Sequence, residues 1–138
     1  MGPAGPLIRP GVELVLDPRR CAVCKLAPSV PWPTPPLGAS LYSATVTNSE
    51  LSVVCLEGDE PPGAQVEGGW RALAVVGPLA FDQVGIISSI TVPLAAGGIG
   101  VFVVSTFDTD LVLVKDVDLD AAVDALEGVG HRVTPSED

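Results

Sequence analysis

The chain has 138 residues and a formal net charge of −10 at pH 7, which disfavours nucleic acids and anionic membrane surfaces as partners. Its length suits one domain, or two very small repeats that share a core. No apolar run reaches the roughly 20 residues of a membrane-spanning helix, and residues 1–6 lack the cationic and apolar blocks of a signal peptide. We therefore expect a cytoplasmic protein that acts without nucleic acid or membrane.

The first quarter of the chain predicts a lead-in and two short strands. Residues 1–11 are rich in proline and glycine and read as a flexible lead-in. Residues 12–16 and 21–26 are apolar enough, and sufficiently rich in β-branched residues, to be strands. The pair Asp17-Pro18 should stop the first of them, because proline cannot donate to a sheet ladder.

A proline-rich stretch and a hairpin follow. Residues 28–36 contain five prolines, which exclude a regular helix or a central strand. Residues 41–46 and 51–55 are predicted strands, and the polar residues 47–50 between them suit a tight turn.

The second half predicts strands alternating with helices. A strand over residues 71–76 precedes a helix that Asp82 caps, with Phe81 packing on Ile86 as a hydrophobic staple. That helix has Gln83-Val84-Gly85 as its first turn, and it ends at Gly97-Gly98. Its sheet-facing positions at helical spacing are Ile86, Ile87, Ile90 and Leu94.

The last third completes the pattern. Residues 99–104 and 111–114 are predicted buried strands joined by a polar connection. A second helix begins after Asp118 and ends at Gly128 or Gly130, and residues 131–133 form a closing strand.

The resulting order from residue 67 is β α β β α β. An α+β sheet with both helices on one face, the ferredoxin-like arrangement, buries those elements economically. The first half echoes this pattern at an offset of sixty residues, so that Pro33 corresponds to Pro93 and Gly38 to Gly98. We therefore predict a degenerate first repeat over residues 12–66 and an intact second repeat over residues 67–138.

The three cysteines are too few for a disulfide framework. Cys21 and Cys24 form a Cys-x-x-Cys pair, but a structural zinc needs four ligands, and only Cys55 and His131 are left to complete the set. A redox pair should sit at the start of a helix, whereas these residues read as a strand. Ordinary buried thiols are the favoured interpretation, with no metal or cofactor.

Three stretches, residues 67–73, 81–87 and 105–110, resemble small bacterial tandem ACT-domain proteins. They occur in the order of that family, and each falls on the matching predicted element. ACT domains are βαββαβ modules that bind amino acids between paired copies and regulate metabolic enzymes. The resemblance therefore implies binding of an amino acid, whose identity it does not give, at an interface between repeats or protomers.

Carried over by motif, the ligand site lies between the start of the first helix of the intact repeat and the polar connection between the two strands that follow it. Free N–H groups at a helix start favour a carboxylate, and a nearby aspartate can hold an ammonium or guanidinium group. The candidate residues are Asp82, Gly85, Ile86, Ile87, Thr106, Phe107, Asp108 and Asp110.

The sequence thus predicts a regulatory or sensor module, working as a homodimer or with a metabolic or regulatory protein. It offers one histidine and no recognisable nucleophile or acid–base pair, so we do not expect an enzyme. The alternative is a ligand-free assembly module whose strands pair edge to edge with another chain.

Overall fold

The computed structural model describes residues 11–77 and 85–137. Strands β1 to β4 come first, followed by helix α1, strands β5 and β6, helix α2 and strand β7. A short 3-10 turn, Asp116–Asp118, leads into α2. The bounds are β1 Glu13–Leu26, β2 Tyr42–Val46, β3 Leu51–Leu56, β4 Gln65–Val75, α1 Ile86–Ala96, β5 Val101–Ser105, β6 Asp110–Lys115, α2 Leu119–Gly128 and β7 Arg132–Pro135.

The chain divides into two compact units. The first unit combines Met1–Pro18 with Arg71–Asp138, and the second is Arg19–Trp70. The two long strands β1 and β4 each pass from one unit into the other. Both helices belong to the first unit.

The sheet of the first unit has the order β7-β1-β4-β6-β5. From β4 to β7 the elements run β α β β α β, which confirms the predicted α+β, ferredoxin-like arrangement. The beginning of β1 lies between β7 and β4 and is parallel to β7. Its approach requires glycine, because a Cβ on Gly11 would lie 1.9 Å from the carbonyl oxygen of Gly130.

The core of the first unit lies between the sheet and the helices. On α1, Ile86, Ile90 and Leu94 form one buried stripe at four-residue spacing. The prediction that Ile87 also faces the sheet is wrong, since its side chain is 37% exposed. One residue along a helix turns the side chain by about 100°, which carries Ile87 off the stripe. The strands, α2 and the connection before β5, which contributes Ile99, complete this core with Leu14, Leu73, Val75, Ile99, Val112, Val114, Ala122 and Leu126.

The second unit contains the predicted hairpin and no helix within Arg19–Trp70, all of which is described. Strand β3 pairs antiparallel with β2 on one side and with β1 on the other. Its small core consists of Ala22, Cys24, Leu51, Val53 and Cys55. The division into a degenerate first repeat over residues 12–66 and an intact second repeat over residues 67–138 stays a prediction, since the compact units have other bounds.

The two hairpins end in the same kind of turn. Thr47 N–H donates to Glu50 O at 2.8 Å, and Thr106 N–H donates to Thr109 O at 2.7 Å. These closing bonds are 59 residues apart, as are the strand pairs that flank them. The predicted offset of sixty therefore holds for Gly38 and Gly98, which have φ of 74° and 73°, but it is wrong by one residue for the hairpins.

Strand β1 continues through Asp17-Pro18, where the sequence predicted a stop. The ladder with β7 covers residues 13–16, and the ladder with β3 covers residues 21–26. Pro18 falls between these two ladders, so its missing N–H interrupts neither of them. The prediction of two separate strands is therefore wrong.

Helix α1 also continues past a proline, to Ala96. Pro93 has no N–H to donate to the carbonyl of Ser89, four residues earlier. The buried His131 takes its place, with Nε2 2.8 Å from Ser89 O. The other ring nitrogen, Nδ1, accepts the Val12 N–H at 3.1 Å. Because Nδ1 accepts, Nε2 carries the proton, and one neutral imidazole satisfies a buried carbonyl and a part-buried N–H.

We expect His131→Ala to destabilise the fold by about 2–4 kcal/mol, since it removes the partner of a buried carbonyl and of a part-buried N–H and opens a cavity. The Pro93→Ala variant has a backbone N–H at residue 93 that can bond to Ser89 O. In that variant, His131→Ala should therefore cost about 1 kcal/mol less than in the parent. Urea unfolding of the four variants measures this coupling. Val112→Ala, a core truncation away from this carbonyl, is the control and should be additive with Pro93→Ala. If the free-energy costs of His131→Ala and Pro93→Ala simply add, the His131 ring does not replace the N–H that Pro93 lacks.

The three cysteines are buried free thiols. Cys24 and Cys55 lie on neighbouring strands, and their side chains hydrogen-bond to each other. Burial, with added effects from Cys24 and from Glu60 and Asp59, raises the pKa of Cys55 to about 12. Burial likewise raises the pKa of Cys24. Both thiols are therefore protonated, and unreactive, near neutral pH.

Alkylation tests this protected state. At pH 8 the native thiolate fraction of Cys55 should be roughly a thousandfold lower than in the unfolded chain, because its pKa rises from 9.0 to about 12. Iodoacetamide labelling followed by mass spectrometry of the peptide that contains Cys55 measures the rate, with the guanidinium-unfolded chain as reference. Equal rates in the two states would contradict the burial described here.

The acidic bend and the start of helix α1

The connection between β5 and β6 is a tight, acidic bend held by its own hydroxyl groups. Thr106 Oγ1 accepts the Thr109 N–H at 3.2 Å. Ser105 Oγ donates to Asp110 Oδ1 at 2.5 Å, across the last pair of the two strands. These bonds fix the bend as one rigid unit, which presents the carboxylates of Asp108 and Asp110 together.

A single side chain fastens this bend to strand β4. Thr109 Oγ1 donates to Val75 O at 2.6 Å. Val75 is the last residue of β4, and from there the chain leads on to α1. The acidic bend therefore lies beside the last residue of β4, the strand that precedes α1 in the chain.

The backbone N–H groups in the first turn of helix α1 have no acceptor within the helix itself. Gly85 is the N-cap residue, with φ of 84° and no side-chain cap, so the prediction that it lies in the first helical turn is wrong. The first helical bond runs from Ser89 N–H to Gly85 O at 2.9 Å. The N–H groups of residues 86–88 precede this bond and have no acceptor within the helix. No acidic residue occupies the first turn, so these donors and the positive end of the helix dipole suit an anion.

The structure brings four of the predicted site residues together in the bend. Thr106, Phe107 and Asp108 are exposed, with Phe107 at 79%, whereas Asp110 is half-buried. Gly85 and Ile87 are exposed at the start of α1, and the Ile86 side chain is buried in the core. Ile86 can therefore contribute only its backbone. Asp82 lies outside the described residues, as do Phe81 and the Gln83-Val84 pair.

Sequence reasoning missed two residues that shape the bend. Ser105 binds the Asp110 carboxylate, and Thr109 ties the bend to Val75. Directly opposed residues of a hairpin interact, so the position of Ser105 could have revealed its role. The partner of Thr109 lies 34 residues away in sequence, and no local pattern indicates such a contact.

The Arg71 side chain bonds to other residues of the first unit and not to the acidic bend. Its Nη1 pairs with Asp116 Oδ1 at 3.0 Å, and its Nη2 donates to Asp17 O at 3.2 Å. These contacts join the beginning of the 3-10 turn to strand β1. The guanidinium is therefore a structural group.

The described part of the chain supplies little for catalysis. His131, the one histidine of the sequence, has both ring nitrogens bound to backbone groups. Among residues 11–77 and 85–137, no group of three His, Cys, Asp or Glu side chains is placed to hold a metal ion. No helix formed by these residues is both long and apolar enough to cross a membrane.

Known proteins share this arrangement. The profile of the ACT domain matches residues 65–128, which run from β4 to the end of α2. The crystal structure of protein Atu0741 from Agrobacterium tumefaciens is 37% identical, with a TM-score of 0.85. The match covers 94% of this chain and 97% of that one.

Two further likenesses are more distant. The cytosolic arginine sensor for mTORC1 subunit 1 of Mus musculus is 39% identical over 59 residues, which are 42% of this chain and 18% of the sensor. The chain thus matches less than a fifth of the length of that curated relative. The regulatory subunit of aspartate kinase from Thermus thermophilus is 13% identical, with a TM-score of 0.59, and the match covers 86% of this chain and 97% of the subunit. This last likeness concerns the fold alone.

The β α β β α β unit from β4 to β7, the matching ACT profile and the likeness to Atu0741 over nearly the whole of both chains agree. This protein belongs to the ACT-domain family.

Proposed function

We propose that this protein binds a free amino acid and acts as a regulatory or sensor module, not as an enzyme. The observation that carries the proposal is the bond from Thr109 to Val75. This bond holds the acidic bend at the end of β4, the strand that precedes α1 in the chain. The bend could then bind the positive group of a small ligand whose negative group binds the first turn of α1. The family of the chain and the arginine sensor among its relatives support an amino acid as the ligand.

The two ends of an amino acid suit the two parts of this notch, which we define as residues 85–88 and 106–110. Its carboxylate would accept hydrogen bonds from the N–H groups of the first turn of α1, which have no acceptor within the helix and lie where the helix dipole is positive. Its ammonium group, or a cationic side chain, would pair with the acidic bend. Gly85 has no side chain, so a ligand can approach the backbone closely.

The two aspartates of the bend have different tasks. Asp110 is half-buried and already accepts the Ser105 hydroxyl, so it sets the shape of the bend as well as its charge. Asp108 is exposed, and its carboxylate can turn toward a cation at small cost. Asp108 is therefore the more direct probe of ligand binding, and Asp82 remains a further candidate contact.

Regulation follows if binding changes how the protein associates with a partner. A second copy of the chain or a metabolic enzyme is the proposed partner class, in the cytoplasm. The buried His131 and the protonated thiols of Cys24 and Cys55 support a binding role, because they supply neither a free general base nor a nucleophile.

An assembly module that binds no ligand is the second candidate. Among the residues that the structure describes, strand β5 ends the strand order of the first unit and pairs with β6 alone. Its other edge could receive a strand from another chain. Ligand binding separates the two candidates, because only the sensor is stabilised by a small molecule.

A thermal-shift panel of the common amino acids tests the proposal. A ligand at ~100 times its dissociation constant stabilises the folded state by about 2.7 kcal/mol, which raises the Tm by several degrees for a domain of this size. We expect at least one amino acid to do so. A flat panel would contradict the sensor and favour the assembly module.

A matched pair of variants then locates the site. Asp108→Asn should weaken binding of the stabilising amino acid roughly tenfold, since it removes one charge-assisted contact, and should leave the Tm of the unliganded protein unchanged. Asp124→Asn makes the same charge change on an exposed position of α2 and should bind as the parent does. Equal affinities for the two variants would place the ligand away from the bend.

A further inference from the structure

The segment between β1 and β2 is not used by the proposed site. Residues 27–41 include five prolines and no charged side chain, although the chain as a whole carries a net charge of −10. No part of this segment lies in a helix or a strand. It nevertheless has a regular pattern of exposure.

The exposure repeats every three residues. Val30, Pro33, Pro36 and Ala39 are half-buried, and the two residues between each successive pair are exposed. A strand would alternate every second residue, and an α-helix would repeat every 3.6. Three residues per turn is the period of the polyproline II helix, which prolines favour. The exposure pattern therefore indicates a polyproline II conformation, with one edge half-buried and the other two facing the solvent.

The segment is fixed at both ends. Val30 packs on the core of the second unit, and its N–H donates to Ala27 O at 3.3 Å. At the far end Ala39 N–H donates to Pro36 O at 3.1 Å, in a turn for which Gly38 adopts φ of 74°. Because the conformation is set in advance, little chain entropy is lost when a partner binds.

The free edges of this helix are apolar. Trp32 is 60% exposed, and Leu37 extends fully into the solvent. Pro31, Thr34 and Pro35 are exposed beside them. A stiff, uncharged ridge with an aromatic and an aliphatic side chain fits a groove lined by aromatic rings, which is the usual receptor for polyproline II segments.

We propose that residues 30–37 are a docking segment for a partner protein with an aromatic-lined groove that recognises polyproline II ligands. The partner reads the exposed Trp32, Pro35 and Leu37, while Pro33 and Pro36 hold the segment against the second unit. The segment shares no residue with the acidic bend, so the proposal does not depend on amino acid binding.

The test uses the full chain and a fixed array of isolated SH3, WW and EVH1 domains, each labelled and followed by fluorescence anisotropy. At least one domain should bind with a Kd below ~1 mM. Trp32→Ala and Pro35→Ala should each weaken that binding roughly tenfold. Both positions are exposed, so the Tm of each variant should match that of the parent.

Val117→Ala is the control, because Val117 is 91% exposed but lies in the first unit, and its binding should equal that of the parent. An array without any binder, or binding that survives both substitutions in the segment, would overturn the proposal. Self-association of the chain in sedimentation experiments, abolished by Trp32→Ala, would also overturn the proposal. The segment would then bind a second copy of the chain and not a polyproline-binding partner.

Discussion

Helix α1 depends on a hydrogen bond that its own backbone cannot make. Pro93 deprives the Ser89 carbonyl of a donor, and the His131 ring supplies one from the segment before β7. The same ring accepts the N–H of Val12, just before β1. One neutral side chain therefore joins the helix, the first strand and the last strand. This clamp keeps α1 in place on the sheet and so fixes the position of its first turn, where the proposed ligand binds.

The two units use proline in opposite ways. In the first unit a single proline, Pro93, lies inside a helix that continues because another side chain compensates for the lost donor. In the second unit Pro33 occupies the corresponding position among several further prolines, and the chain forms no helix there. The hairpins that follow keep the same closing bond, from Thr47 to Glu50 and from Thr106 to Thr109. The proline-rich segment of the second unit therefore contains no helix, whereas a hairpin with the same closing bond occurs in both units.

Local patterns predicted much of this fold. Both hairpins, the buried stripe of α1 and the second helix follow from apolar spacing and turn residues, which act over a few positions. The continuation of β1 through Pro18 did not follow, because it depends on which partner strands lie alongside that residue. The role of His131 could not be predicted either, since its two partners are 42 and 119 residues away. For the proposed site, the acidic residues were chosen from the sequence and stay a prediction, whereas the tether from Thr109 to Val75 arises only in three dimensions.

We infer that the bend and the first turn of α1 form one binding notch. Amide chemical shifts measured while the stabilising amino acid is added test it most directly, because every residue of the two segments reports separately. We expect the amides of residues 85–88 and 106–110 to shift together along one saturation curve. Shifts confined to one of these segments, or centred on residues elsewhere in the chain, would contradict it.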